Sequence, residues 1–332
     1  MARVGVVGTT SWGTTLAIVM ARSGHEVWLW ARNNDEKDQL LLDRENKRFV
    51  PGHEFPDCLR VTSSMDHALG DSELLLFAVP SHSLRSNVTK VVRSISPDSL
   101  ILSATKGLEA PTSKRMTEVM AEVLPSAIHS NICALSGPNL ASEIADGKPS
   151  STVIASIDPG SSNRAQKILN SQTFRVYTND DVIGVEIGGA LKNIIAISVG
   201  VSDGLGYGDN AKATLISRGL TEMARLGSAC GGKKETFSGL TGMGDLIATC
   251  SSSLSRNHHV GVLLAQGKSL NQVSELMDNV AEGIDTTNAA HRLSKQMDVD
   301  MPITNALYGI LFGNHTVETA ISELLYRLPG RE

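Results

Sequence analysis

The chain has 332 residues, 41% of them hydrophobic and 20% charged, with a net charge of -5. Such a length holds one large domain or two ordinary ones, and the composition is that of a soluble globular protein. The near-neutral balance excludes the broad basic field that holds nucleic acid, so an anionic ligand needs a local basic pocket.

The opening segment, MARVGVVG, runs straight into a strand pattern and shows no secretory signal. Apolar runs at Val4–Val7, Val27–Trp30, Leu74–Ala78, Ser99–Ser103, Ile132–Leu135 and Thr152–Ile157 predict strands, with a further one at Gln172–Tyr177. Helical patterns fall between several of them, at Thr14–Arg22, Leu84–Val92, Ser113–Val123 and Ala141–Ala145. Alternation of this kind, with strands apolar on both faces, predicts a parallel sheet covered on both sides. Beyond about residue 180 the strand signals stop, and helical patterns follow at 182–201, 212–226, 258–266, 269–277, 284–295, 302–312 and 317–325. The expected fold is α/β: a Rossmann-like, mostly parallel sheet domain over residues 1–180 and an all-helical domain over 181–332. The cysteines, Cys58, Cys133, Cys230 and Cys250, form no CxxC pair, which points to free thiols in a reducing, cytoplasmic setting.

The first strand leads into VGVVGTTSWGTTLA, where Gly8 and Gly13 hold the first and third positions of the G-x-G-x-x-G fingerprint. Those glycines permit a tight turn and close helix packing, and the helix start then presents N–H groups to a pyrophosphate. Thr10 stands in place of the middle glycine, where its branched side chain would crowd the phosphate. After the second strand the chain offers Arg32, followed by Asn33 and Asn34, where an acidic residue would select an unphosphorylated ribose. An arginine there suits a 2′-phosphate, so NADP is the preferred cofactor and NAD the other; a solvated loop arginine is the plain alternative. Lys106, before Gly107, ends the fifth predicted strand at the edge where ligands sit, and Gly137, Pro138 and Asn139 turn out of the next one.

Residues 182–201, VIGVEIGGALKNIIAISVGV, are about as long as a membrane span. Glu186, Lys192 and three glycines in the first half argue instead for a buried helix and no membrane span. A lysine in such surroundings finds a carboxylate or gives up its proton more readily, so Lys192 is the candidate acid–base group; an amine snorkelling from a core helix is the other reading. Farther on, SGLTGMGDLIATC reads as a glycine-rich loop carrying Asp245, free to bind substrate hydroxyls or to pair with Lys192. Ser255, Arg256 and Asn257 precede a helical pattern and make either a phosphate site or an ordinary N-cap. Glu282 opens the helical pattern in NVAEGIDT, where it complements the dipole. His258 and His259 lack a third ligand at metal spacing, so no metal is expected.

Six segments in order, SWGTTLA, ATKGLE, LSGPN followed by AxE, GGALKNIIAI, TGMGDLIATC and LSRN, resemble the bacterial-type NAD(P)-dependent glycerol-3-phosphate dehydrogenases over nearly the whole chain. The resemblance implies reversible reduction of dihydroxyacetone phosphate to sn-glycerol 3-phosphate, feeding phospholipid synthesis. It implies Lys192 as proton acceptor and donor, and Lys106 as a contact shared by cofactor and substrate. Gly137, Asn139, Asp245, Ser255, Arg256 and Asn257 match its substrate positions. Ser11, Trp12, Arg32, Ala141, Arg256, Val280 and Glu282 match its cofactor positions. The implied partner is a small phosphorylated substrate, and a homodimer is among the open assemblies. Asn139 departs from the serine or threonine common there. Another two-domain dehydrogenase of the beta-hydroxyacid type, or a non-catalytic NADP-binding sensor, would share part of this pattern.

Overall fold

A computed structural model describes residues 1–277 and 281–327. Eight strands form one sheet: β1 (Arg3–Val7), β2 (Glu26–Trp30), β3 (Leu59–Thr62), β4 (Leu74–Phe77), β5 (Leu100–Ser103), β6 (Ile132–Ser136), β7 (Ser150–Ala155) and β8 (Phe174–Asn179). Their order is β3-β2-β1-β4-β5-β6-β7-β8. Neighbours pair in parallel except at β6 and β7, which are antiparallel.

The central strands are apolar throughout because helices bury both faces. All four residues of β4, LLLF, and of β5, LILS, are buried. Alternate side chains enter two separate cores: Leu74 and Leu76 pack with Val4, Val6 and Leu29, while Leu75 and Phe77 pack with Val7, Val88 and Ile101. At about 25 cal/mol for each Å² of apolar surface removed from water, this two-sided burial is what holds the sheet. The expected strands are all present. β3 is the addition: only four residues long, it pairs with β2 alone and leaves Arg60 exposed, so no apolar run announced it. The helix Pro159–Leu169 was also hidden, because its PGSS start looks like a turn; Asp158 caps it and Pro159 takes its first position.

The chain divides into two compact units, Met1–Lys106 with Arg115–Glu186, and Gly107–Lys114 with the chain from Ile187. Gly107–Lys114 is tied into the second unit, where Ser113 Oγ donates to the Ala289 carbonyl at 3.0 Å. The second unit is helical, its longest elements being Val182–Gly204 (from Ile187 on), Gly208–Ala229 and Glu282–Gln296. By length and composition Val182–Gly204 is the one helix among the described residues apolar enough to cross a membrane, yet 83% of its most apolar window is buried inside the protein.

Glu222, on Gly208–Ala229, caps another helix of the second unit. Pro302–Phe312 has no cap of its own, and the Glu222 carboxylate accepts from the N–H groups of Ile303 (2.6 Å) and Thr304 (3.2 Å) and from the Thr304 hydroxyl (3.2 Å). Burial pushes this carboxyl up to about 7, against the lowering effect of those three bonds.

Candidate active site

In the first unit, β1 ends at a turn that only glycine permits. Gly8 has φ +124, and a Cβ there would lie 2.4 Å from the Ala78 carbonyl oxygen. A Cβ on Gly13 would lie 2.0 Å from the Gly8 carbonyl oxygen, so the helix Ser11–Arg22 packs directly on the turn. Thr10, which the fingerprint marks as a defect, is the N-cap of that helix. Its hydroxyl accepts from Gly13 N–H at 3.1 Å and donates to the Ala78 carbonyl at 2.7 Å, so the branch is tied to the end of β4. Thr14 N–H bonds the Thr10 carbonyl at 2.9 Å.

The N–H groups of Ser11 and Trp12, in the first turn, have no acceptor among the described residues. The Trp12 ring meets Phe174 edge-on at 6.3 Å, and its Nε1 is buried without a partner among the described residues. Buried Asn46 braces the turn, its Nδ2 donating to the Thr9 carbonyl at 2.9 Å and the Thr14 hydroxyl at 2.8 Å. A tight glycine turn with open N–H groups fits a dinucleotide pyrophosphate. No local pattern marks Asn46, which comes from a loop 37 residues beyond Thr9.

Arg32 is not free. Its Nε and Nη2 donate to Glu36 at 3.2 and 3.1 Å, on the first turn of the helix Asn34–Asp43. Lys106 Nζ donates to the Gly137 carbonyl at 2.9 Å, uniting two of the expected positions. Gly137 has φ +151 and packs against Thr152. Asn139, expected at the ligand edge, donates to the Ser151 carbonyl (3.3 Å) and accepts from the Thr152 hydroxyl (2.9 Å) at the start of β7. The reversal of β7 against β6 places those polar groups beside it. Ala141 opens the helix Ala141–Ala145, and its carbonyl accepts from the Thr15 hydroxyl.

In the second unit, Lys192 is 7% exposed and Asp245 1%. The amine donates to Asp245 Oδ1 at 2.7 Å and to Thr249 Oγ1 at 2.7 Å, and Thr249 donates to the same carboxylate oxygen at 3.2 Å. The segment expected to be a loop is helical: Leu240–Gly244 forms one wide π-turn and Asp245–Ser251 an α-helix. Its i,i+4 spacing puts Asp245 and Thr249 on one face. Thr249 was missed because the preceding glycines disguised the helix. An ammonium has three protons, and two acceptors meet Lys192 among the described residues.

Ser255 caps the helix Arg256–Ala265, accepting from His258 N–H at 3.2 Å. Arg256 is accessible at the surface, yet desolvation lowers its pKa while the Glu282 carboxylate pulls it back up. Asn257 Oδ1 accepts from Gly283 N–H at 3.0 Å, joining this helix start to that of Glu282–Gln296, where Glu282 is the first residue. Val280 lies outside the described residues. Among the described residues no three His, Cys, Asp or Glu side chains gather into a metal-binding group.

A sheet whose first six strands run 3-2-1-4-5-6 from a tight glycine turn has the architecture of dinucleotide-binding proteins, and a helical unit burying a lysine beside it in the chain resembles the two-domain dehydrogenases. Residues 3–162 match the family described as NAD-dependent glycerol-3-phosphate dehydrogenase N-terminus, and residues 181–322 match its C-terminus. The chain belongs to the NAD-dependent glycerol-3-phosphate dehydrogenase family. It is 47% identical to a glycerol-3-phosphate dehydrogenase [NAD(P)+] of Dehalococcoides mccartyi, covering 100% of this chain and 94% of the relative. A protein of the same name from Bacillus cereus is 44% identical, covering 100% and 98%. The crystal structure of glycerol-3-phosphate dehydrogenase from Coxiella burnetii superimposes with a TM-score of 0.92 at 37% identity, covering 98% of this chain and 99% of that one.

Proposed function

We propose that this protein catalyses the reversible reduction of dihydroxyacetone phosphate to sn-glycerol 3-phosphate with NADPH or NADH, and so supplies glycerophospholipid synthesis in the cytoplasm. The observation that carries the reading is the buried Lys192, held by Asp245 and Thr249 with one proton left to give. The bound nicotinamide supplies the hydride. Lys192 donates its remaining N–H to the ketone oxygen and transfers the proton as negative charge develops there. Asp245 and Thr249 fix the amine's direction, which a four-carbon stem alone would leave free.

Arg256 grips the phosphate with the N–H groups that open its helix. Holding the phosphate orients the carbonyl and lowers the entropy cost of reaching the transition state. In the first unit, Gly8, Gly13 and the N–H groups of Ser11 and Trp12 receive the pyrophosphate, and Lys106 and Gly137 contribute at the neighbouring strand ends. Four free cysteines, of which Cys133 and Cys250 are buried, support a reducing compartment. The test is direct: the reduced nucleotide's absorbance should fall on adding dihydroxyacetone phosphate, and rise again with sn-glycerol 3-phosphate and oxidised nucleotide. Turnover of hydroxyacids with none of the phosphorylated triose would overturn the assignment.

A further inference from the structure

We propose that Glu36 is a specificity-determining residue at the adenosine end of the nucleotide site: its carboxylate favours an unphosphorylated ribose and opposes a 2′-phosphate, narrowing the preference that Arg32 alone would set. The proposal rests on the nucleotide reading above.

The carboxylate is fully occupied. Its Oε1 accepts from the Thr9 hydroxyl at 2.6 Å and from Arg32 Nη2 at 3.1 Å, and its Oε2 from Arg32 N–H at 2.9 Å and Nε at 3.2 Å. A carboxylate has about four acceptor positions, so none is left for a ligand until one partner yields. Burial pushes the carboxyl up, but the bonds from Arg32 and Thr9 outweigh it and the pKa is lowered, which keeps Glu36 anionic at neutral pH. The Thr9 bond ties this anion to the glycine turn itself. The guanidinium that would attract a 2′-phosphate is therefore neutralised in place. Its surroundings add no net positive charge: Asp35 shares the first helical turn, and Lys37 is paired with Asp38 at 3.0 Å.

The two nucleotides meet this pair differently. A 2′-phosphate must draw Arg32 away, leaving the Glu36 carboxylate beside a new dianion. A 2′-hydroxyl instead donates to Glu36 and displaces Arg32, with no like charges left facing. Arg32 is the partner that can move, because its side chain is 71% exposed whereas Glu36, 18% exposed, stays anchored by Thr9. Acidic recognition of the ribose is a common device at this edge of such sheets. Here the acid comes from the helix after β2, not from the strand end where Arg32 sits.

The test is calorimetric titration of the full-length protein with ADP-ribose and with its 2′-phosphate, so that the readout is binding and not turnover. Wild type should bind both. Glu36→Gln keeps an acceptor for Thr9 and removes the charge; the affinity ratio should move about tenfold toward the 2′-phosphorylated compound. Arg32→Ala, at an exposed position that leaves the fold intact, should weaken the 2′-phosphorylated compound and tighten ADP-ribose by releasing Glu36. An unchanged ratio in Glu36→Gln, or a shift away from the 2′-phosphate, overturns the proposal, and so does an Arg32→Ala protein that binds ADP-ribose no tighter. Failure of wild type to bind either compound overturns the nucleotide reading itself.

Discussion

The glycine turn of the first unit is made of backbone, whereas the lysine group of the second is made of buried side chains. The difference decides what each tolerates. The turn needs glycine at Gly8 and Gly13, where a Cβ would strike a carbonyl oxygen at 2.4 and 2.0 Å. Two residues after Gly8 it accepts a branched side chain, because Thr10 points at Ala78 and caps the helix. The lysine group has no such latitude. Its charges are out of water, and each offsets the cost of burying the other.

The largest effect expected is on the lysine side. Lys192→Ala should lower kcat by about 10²–10⁴, the usual worth of a positioned acid–base group, while nucleotide binding measured by titration stays intact. Turnover near that of wild type would separate Lys192 from the chemistry. Next comes Asp245→Ala, which strands a buried ammonium. A loss of roughly 3–5 kcal/mol in unfolding free energy is expected from denaturant titration, and a loss below 1 kcal/mol would mean the pair is better hydrated than its 1% and 7% exposure implies.

Glu222 sharpens the contrast within the second unit, because it is a buried acid bonded by N–H groups and a hydroxyl, with Arg225 acting on it only through its field. Its folded pKa of about 7 lies above the ordinary 4.5. The folded state then binds more protons between those values, so stability is greatest below about pH 4.5 for this group and falls as pH rises through 7. Glu222→Gln should flatten that slope, removing about 2–4 kcal/mol of pH dependence; melting curves at several pH values measure it, and a slope identical to wild type would refute it. The smallest effect belongs to the turn. Thr10→Ala should cost about 1 kcal/mol through the lost cap, and Thr10→Gly should bind nucleotide no tighter than wild type. Tighter binding by the glycine form would restore the steric objection that the fingerprint raises.

Much of this was legible in the sequence, for identifiable reasons. Two-sided burial leaves unbroken apolar runs, so seven of the eight strands stood out in advance. Lys192 announced itself by its isolation in an apolar helix, and Asp245 was one of the partners open to it. What stayed hidden depended on contacts distant in sequence or on misread local chemistry. Thr10 was judged by the glycine it replaces, although a threonine three residues before the N–H it caps is itself a helix-start signal. Thr249 lies four residues after Asp245, but that spacing matters only if the segment is helical, and three glycines argued otherwise. Glu36 carries no signal of its own in the sequence, because at the end of β2 the cation Arg32 matches the pattern for a 2′-phosphate. Its carboxylate gains meaning only when Thr9, 27 residues earlier, is seen to bond it.

The helix Val182–Gly204 has a consequence for the chain during synthesis. The helices that bury it come later in the sequence, so a ribosome releases it before its cover exists. With a mean hydropathy of 1.6 over its most apolar window it then meets the length and composition test for crossing a bilayer. Lys192 stands at the middle of that helix, where a lysine adds about 2.5–3.5 kcal/mol to the free energy of insertion. The same amine that the finished protein holds against Asp245 thus weighs against translocon capture of the nascent chain before Asp245 has been made.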